Sequence, residues 1–329
     1  MGSPVPFEYR NGTFLPEVGL WLDPRRKSPL AFISHAHADH AGRHDRVIAS
    51  PETLALMAAR GVRQRDSIPM AYGEESELNG GRIELFPAGH VLGSAQIRIT
   101  TDSGSLVYTG DFKLRPNRSC EIAEIRQADV LIMETTFGLA RYRFPPLEET
   151  VGEIVAFSRE SLEEGAVPVF LVYSLGKAQE VLSILGDAGF EVLVHESINR
   201  VTRVYREFDR PLPQCACLDE GRAEGKVVLF PPSARRPKAI AGSAPVRTAA
   251  VTGWGLDPSA RYRYGCDAVF PLSDHADYDD LFRYVERVNP QVVYTLHGYA
   301  EEFARDLRTR GVEAWSLISE NQMELPLDL

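Results

Sequence analysis

The chain predicts a mixed α/β fold in which a strand-rich core is interrupted by an inserted segment of alternating helix and strand. Short apolar runs in the first and last parts of the sequence each end at a histidine or an aspartate, with glycine close by. From about residue 138 the texture changes to helix–strand alternation, and the strand-then-ligand pattern returns at about 267. At 329 residues, 44% hydrophobic and 25% charged, the chain can bury one sizeable core or two.

Over residues 1–137, strands joined by short turns dominate. Pro29–Ile33 is an apolar strand leading into Ser34-His35-Ala36-His37-Ala38-Asp39-His40. Ile48–Arg60 is a helix candidate begun by Ser50-Pro51-Glu52, with serine as N-cap and proline in the first turn. Ile83–Phe86 is a strand before Pro87-Ala88-Gly89-His90-Val91-Leu92-Gly93, and Ser105–Tyr108 a strand before Thr109-Gly110-Asp111. Next come a helix over Leu147–Glu164, a buried strand Val167–Tyr173, a helix Gly176–Leu185, a strand Glu191–His195 and a helix Asn199–Phe208. Strands Val227–Phe230 and Ala249–Thr252 flank a loop rich in Pro, Ser and Arg. This alternation predicts a partly parallel sheet covered by helices. Strand Asp267–Leu272, helix Asp279–Val288, strand Gln291–Leu296 ending at His297-Gly298, and helix Ala300–Thr309 complete the chain. The expected organisation is a core over 1–137 and 267–329 with an insert at 138–266.

His35, His37, Asp39 and His40 place four potential ligands within six residues. Imidazole and carboxylate at this density, without cysteine, suit borderline divalent ions such as Zn or Mn. In a strand, His35 and His37 would point to one side. Where the strand gives way to a loop, Asp39 and His40 can turn toward a second position, so one segment can serve two metals. Chance clustering of ordinary histidines is the bland alternative. Six of the eight histidines fall at such strand-end places, which packing alone does not explain. His44 and His195 match no motif and read as non-ligands. Glycines beside the ligands permit the close turns that such sites need.

These strings resemble the metallo-β-lactamase fold and, within it, the β-CASP nucleases. The resemblance rests on Asp23 in Leu22-Asp23-Pro24, His35, His37, Asp39, His40, His90 and Asp111. It also rests on Glu134 in Met133-Glu134-Thr135-Thr136-Phe137-Gly138, His275 in Ser273-Asp274-His275-Ala276-Asp277, and His297. Val172-Tyr173-Ser174-Leu175-Gly176-Lys177-Ala178-Gln179-Glu180 resembles a helix start of the β-CASP insert. The Trp21-Leu22-Asp23-Pro24 opening and the Glu134–Pro146 segment are most similar to bacterial ligase-associated DNA exonucleases, a group also described as mRNA 3′-end processing factors. The resemblance implies a metallo-β-lactamase αββα sandwich with an inserted β-CASP α/β domain. It implies that His35, His37 and His90 hold one divalent ion, that Asp39, His40 and His297 hold another, and that Asp111 bridges them. It makes Asp39 and Asp111 part of the catalytic centre, His275 the general acid and Glu134 its orienting partner, with Asp23 behind a ligand histidine. Ser174 and Lys177 become candidates for a flanking phosphate, the alternative for Lys177 being a solvent-facing helix lysine. Single-stranded DNA is the favoured partner, RNA the other; functional association with a DNA ligase and a helicase is implied.

The remaining composition bears on partners and compartment. No apolar window approaches a membrane span, the opening MGSPVPFEYRNG lacks the regions of a signal peptide, and the four cysteines show no disulfide framework. Cys215-Ala216-Cys217 lacks a second cysteine pair at zinc-finger spacing. A cytoplasmic enzyme is expected. The net charge of −10 argues against a general polyanion binder. Residues 138–266 carry 16 basic and 16 acidic side chains, so the excess acid lies elsewhere, where metal can neutralise part of it. Arg141/Arg143, Arg200/Arg203/Arg206, Arg235/Arg236/Lys238 and Arg261/Arg263 each read singly as a solvated face. Together they fit a grip on a few phosphates. A ribonuclease of 3′-end processing or decay is the closest alternative function. A small-molecule hydrolase or an inactive scaffold is disfavoured by the insert, by His275 and by the complete ligand set.

Overall fold

The computed structural model describes residues 3–10, 12–218, 223–234 and 244–318. They form two compact units, one running to Arg143 and resuming at His275, the other Phe144–Asp274. The basic group Arg235/Arg236/Lys238 lies outside the described residues.

The first unit opens with β1 (Glu8–Tyr9), β2 (Thr13–Leu15), β3 (Leu20–Leu22), β4 (Leu30–Phe32), β5 (Arg46–Ala49), α1 (Pro51–Ala59) and β6 (Ser67–Pro69). Their six strands pair in chain order, antiparallel to β3 and parallel beyond it. Ile48 and Ala49, expected at the head of a helix, instead end β5. Ser50 is extended and its Oγ accepts from Thr53 N–H at 3.0 Å, so the helix can begin only after it. Then come β7 (Glu75–Leu78), β8 (Gly81–Pro87), β9 (Ala95–Thr101), β10 (Gly104–Tyr108) and β11 (Val130–Glu134).

The second unit runs α2 (Leu147–Glu163), β12 (Val167–Leu171), α3 (Lys177–Asp187), β13 (Val192–Val194), α4 (Glu196–Glu207), β14 (Ala216–Cys217), β15 (Val227–Phe230), β16 (Val246–Val251), α5 (Ala260–Tyr264) and β17 (Ala268–Phe270). Its sheet, in the order β14-β13-β15-β12-β16-β17, is parallel at every pairing, more so than expected. The reason is visible in β13 and β15, buried at every residue, as strands covered on both faces must be. His195, expected as the last residue of a strand, is the N-cap of α4: its Nδ1 accepts from Ser197 N–H at 3.1 Å. That helix therefore starts at Glu196 rather than Asn199.

Back in the first unit, α6 (Tyr278–Val288), β18 (Val292–Leu296), α7 (Ala300–Thr309) and β19 (Ala314–Ser316) follow. The second sheet of this unit has the order β19-β18-β11-β10-β9-β8-β7. Period-two alternation separates its faces. Leu106, Tyr108, Val130 and Ile132 join Leu20, Leu22, Phe32 and Ile48 in a core between the two sheets. Val107, Leu131 and Met133 face the other way, onto Leu281, Tyr284 and Val285 of α6 and Phe303 and Leu307 of α7. The result is the layered sandwich that the resemblance implies. Because β10, β11 and β18 are mutually parallel, their carboxyl ends share one edge, and Asp111, Glu134 and His297 all lie there.

Candidate metal centre

The chain leaves β4 before reaching His35, so the strand pairing of His35 and His37 does not occur. A turn replaces it, with His40 N–H and Ala41 N–H both donating to His37 O, at 3.1 and 2.8 Å. That turn folds His40 back beside His35, their ring centroids 4.2 Å apart. His35 and His40 are buried, His37 is half-buried and Asp39 is exposed. His90 follows β8 in a loop held by Ser50 and Thr53, whose hydroxyls donate to Gly93 O at 2.6 and 2.9 Å. Asp111 follows β10 after Gly110, whose φ is +54°. A Cβ at Gly110 would stand 2.5 Å from Ser34 Cβ, so only glycine brings this loop against the histidine turn.

Ligand atoms of His35, His37 and His90 lie within 4.8 Å of one another, as do those of His35, His40 and Asp111. His90 Nε2 and His37 Nδ1 are 3.0 Å apart. Asp111 Oδ2 stands between the sets, 3.5 Å from His35 Nε2, 3.5 Å from His40 Nε2 and 3.9 Å from His90 Nε2. Asp39 approaches His40 Nε2 at 3.5 Å, and the His297 ring centroid is 5.6 Å from that of His40. The structure thus brings His35, His37, His40 and His90 together around Asp111, while Asp39 and His297 approach the cluster at His40.

The electrostatics of the cluster fit a cation. His35 Nε2 is buried without a hydrogen-bond partner. Burial, and then the neighbouring imidazoles, push the His35 pKa well below the usual histidine value. Burial drives Asp111 up to about 7 despite His40. His297 is pushed down to about 4, by burial first and His40 second. His40 is the exception: burial would lower its pKa, but Asp111, Asp39 and Asp23 hold it well above the usual histidine value. Nitrogen and oxygen donors converging at these distances are a set that a divalent ion would stabilise, displacing that proton as it binds.

Two further carboxylates stand behind the cluster. Asp23, at φ +41°, accepts from Ser34 N–H (2.8 Å), Ser34 Oγ (2.6 Å), His40 Nδ1 (2.8 Å) and Tyr108 Oη (3.0 Å). Ser34 and Tyr108 carry no motif in the sequence. The only local signal is the adjacency of Ser34 to His35. Glu134, the last residue of β11, is buried and lies 2.9 and 3.1 Å from His275 Nδ1 through its two oxygens. It also accepts from Phe112 N–H at 2.8 Å and from the Thr136 hydroxyl. Burial would raise its pKa, but the charge and hydrogen bond of His275, with those of Thr136 and Phe112, hold it down at about 2. Asp111, Glu134 and His275 meet within 4.8 Å, and the His275 ring centroid is 4.7 Å from that of His90.

Ser174 and Lys177 lie in the other unit. Ser174 Oγ shares a 2.9 Å hydrogen bond with Ser197 Oγ. Lys177 is 1% exposed, with Nζ 3.3 Å from an Asp274 carboxylate oxygen, so it is not the solvent-facing lysine of the alternative. Of the basic groups, Arg143 pairs with Asp279 at 2.9 Å, Arg263 with Asp257 at 3.3 Å, and Arg206 donates to Pro213 O. His44 Nδ1 accepts from Ser28 N–H at 3.2 Å, a structural bond. Among the described residues, no helix is long and apolar enough to cross a membrane.

Residues 268–317 match the family model described as a Zn-dependent metallo-hydrolase RNA specificity domain. The chain is 45% identical over 324 residues to a probable DNA ligase of Opitutus terrae, covering 98% of this chain and 32% of that protein; it spans about a third of that relative's length. It is 24% identical over 349 residues to a probable RNase, MJ4, of Methanocaldococcus jannaschii, covering 81% of each. The RNase aCSPSF2 of Saccharolobus solfataricus is 30% identical over 151 residues, 43% of this chain and 30% of that one. A crystal structure of a protein of unknown function from Enterococcus faecalis V583 has a TM-score of 0.60 at 13% identity, covering 88% of this chain and 79% of that chain.

Proposed function

We propose that the chain is a metal-dependent nuclease of the β-CASP branch of the metallo-β-lactamase fold, and that it acts in the cytoplasm as a DNA exonuclease in repair. The observation that carries this is the meeting of Asp111, Glu134 and His275 beside the imidazole cluster. Ligands alone fit many hydrolases, but an oriented acid beside them fits expulsion of an alkoxide from a phosphodiester. Two divalent ions, Zn or Mn, held by His35, His37 and His90 and by Asp39, His40 and His297 with Asp111 between them, would activate a shared water and draw charge from the phosphate oxygens. His275 donates Nδ1–H to Glu134, so in its imidazolium form it carries on Nε2 the proton that the leaving oxygen needs. Glu134, kept ionised, stabilises that cation and fixes the ring. Asp23 orients His40 by accepting its Nδ1–H, which leaves Nε2 bare for an ion. Ser174 is kept as a candidate for a flanking phosphate. Lys177, buried against Asp274, is assigned to fixing the start of α3.

DNA is favoured by the length of the alignment with the probable DNA ligase, which also supports a ligase as functional partner. A specific observation favours a second reading, RNA 3′-end processing or decay: the RNA specificity domain matched at 268–317, with relatives named RNases. One panel separates them: a labelled linear DNA strand, the same strand circularised, and RNA of the same sequence, with Mn or Zn supplied. Stepwise release from the 5′ end of single-stranded DNA or tails, with the circle resistant, is expected. Rapid cutting of the circle would make the enzyme an endonuclease, and a strong preference for RNA would move the assignment to the second reading.

A further inference from the structure

Arg141 is held in a way that no ion pair explains. Its Nη2 donates to Tyr142 Oη at 2.9 Å and to Tyr299 Oη at 3.0 Å, and the two phenols are bonded to each other at 3.1 Å. Its guanidinium carbon lies 4.8 Å from the Tyr142 ring centroid and 5.8 Å from that of Tyr299. Both tyrosines are buried, while the arginine above them is exposed. Among the described residues its electrostatic partners are these phenols and no carboxylate. Its neighbour two positions on, Arg143, has Asp279 at 2.9 Å, and Arg115 is paired with Asp277 and Asp280. In a chain with ten more acids than bases, a structural arginine readily finds a carboxylate. One oriented by neutral hydroxyls and ring faces keeps its charge and the rest of its fork for an anion from outside.

The bracket that holds Arg141 is built on the loops of the candidate centre. Tyr299 follows His297 by two residues, and its N–H donates to Thr135 O at 3.0 Å. Tyr142 O accepts from Tyr278 N–H at 3.0 Å, three residues beyond His275. The Tyr142 ring is 5.1 Å from Phe137, and Phe137 is 6.0 Å from the His275 ring. The guanidinium is therefore fixed relative to both the candidate proton donor and a candidate ligand.

We propose that Arg141 binds a backbone phosphate of the nucleic-acid strand next to the scissile one, with Tyr142 and Tyr299 as positioning residues. The proposal rests on the nuclease reading of the centre. It excludes Arg143, equally basic in sequence, because its charge is already spent on Asp279.

The test compares binding and cleavage. Binding of a short fluorescent single strand is followed by anisotropy in EDTA, where cleavage is blocked, across a range of salt. Cleavage is followed on the same strand and on bis(p-nitrophenyl) phosphate, a single diester with no flanking phosphate, with metal present. Arg141→Ala is expected to weaken binding about tenfold and to reduce the slope of log K against log salt by about 0.7. Its loss of cleavage should be several-fold larger on the strand than on the small diester. Arg141→Lys should restore the salt slope but only part of the affinity, because the planar fork is gone. Arg143→Ala, the matched control, should keep the parent slope. The Tyr142→Phe/Tyr299→Phe pair should keep the slope while losing affinity. If Arg141→Ala leaves both affinity and slope at parent values, or loses equally on both substrates, the subsite is refuted. A wild type that binds with an Arg141-dependent slope yet hydrolyses neither substrate refutes the nuclease reading alone. Should Arg141→Ala melt below the parent, Arg141→Gln, which can still donate to the phenols, gives the same comparison without the charge.

Discussion

Replacing Asp23 by asparagine keeps the shape of the side chain and removes its charge, which isolates its effect on the centre. Oδ1, accepting from Ser34 N–H at 2.8 Å, can be retained by the amide oxygen. Oδ2 cannot. It faces three donors, Ser34 Oγ, Tyr108 Oη and His40 Nδ1, and an NH₂ group there must donate instead. His40 Nδ1 then becomes the acceptor and its proton moves to Nε2, the nitrogen 3.5 Å from both Asp39 and Asp111. That is the nitrogen the metal needs bare. The φ of +41° at position 23 does not confound the comparison, because asparagine tolerates this region as well as aspartate does.

Loss of such an outer partner costs about 10–100-fold in metal affinity, or about 1.4–2.7 kcal/mol. The loss should be uneven. His40 touches Asp23 directly, whereas His35 is reached only through Ser34 Oγ, 2.9 Å from His35 Nδ1. Parent and Asp23→Asn protein would be equilibrated against graded chelator and their metal content read by plasma emission. One equivalent should leave the variant at a chelator strength about tenfold or more below that needed for the parent, the other close to the parent value. Release of both equivalents at parent strengths would refute the orienting role of Asp23.

Three further outcomes are expected. EDTA should abolish phosphodiesterase activity and added Mn or Zn should restore it; full activity in protein shown metal-free by elemental analysis would overturn the mechanism. His275→Ala should lower turnover about 10²–10⁴-fold with metal content nearly intact, whereas His297→Ala should lose occupancy of one ion; elemental analysis beside initial rates distinguishes the two. Gly93→Ala should lower the melting temperature by several degrees and disturb the His90 loop. Its φ is +74°, which costs a non-glycine about 1–2 kcal/mol. Its new Cβ would also meet Glu52 Cβ at 2.4 Å and Thr53 N at 2.8 Å, and a melt equal to the parent would show that the α1 cap does not clamp this loop.

The cluster of candidate ligands was legible because each sits in a short string near the end of an apolar strand, and parallel strands bring such ends together without further information. The Ser50 cap of α1 was legible, whereas His195, which caps α4 through its ring nitrogen, reads in sequence as the end of a strand. Strand limits were not legible. Tyr173 continues the apolar run of β12 in sequence, yet the strand stops at Leu171, where its pairing with β15 ends. The partner of Lys177 escaped for a related reason. In sequence this lysine reads as a phosphate ligand or a solvent-facing helix residue, and Asp274, distant in sequence, is not in view. The alternating string left open whether His35 and His37 continue the strand or enter a loop; the hydrogen bonds to His37 O turn the chain before pairing can continue.

Backbone strain and charge pairing were beyond sequence for a deeper reason: both depend on what surrounds a residue rather than on its type. Asp23 and His297, at φ +41° and +61°, are non-glycine residues in the left-handed region, and both lie beside His40. Each is held there by its neighbours: Asp23 by the four hydrogen bonds on its carboxylate, His297 by Thr135 Oγ1 donating to its carbonyl at 2.7 Å. Strain of about 1–3 kcal/mol per residue persists only where the surroundings over-determine the conformation. Here it holds the Asp23 carboxylate against His40 Nδ1 and the His297 ring 5.6 Å from that of His40. Arg141 and Arg143 make the same point in charge. Identical in type and two positions apart, they are separated by one carboxylate, Asp279, which neutralises the second and leaves the first available to a phosphate.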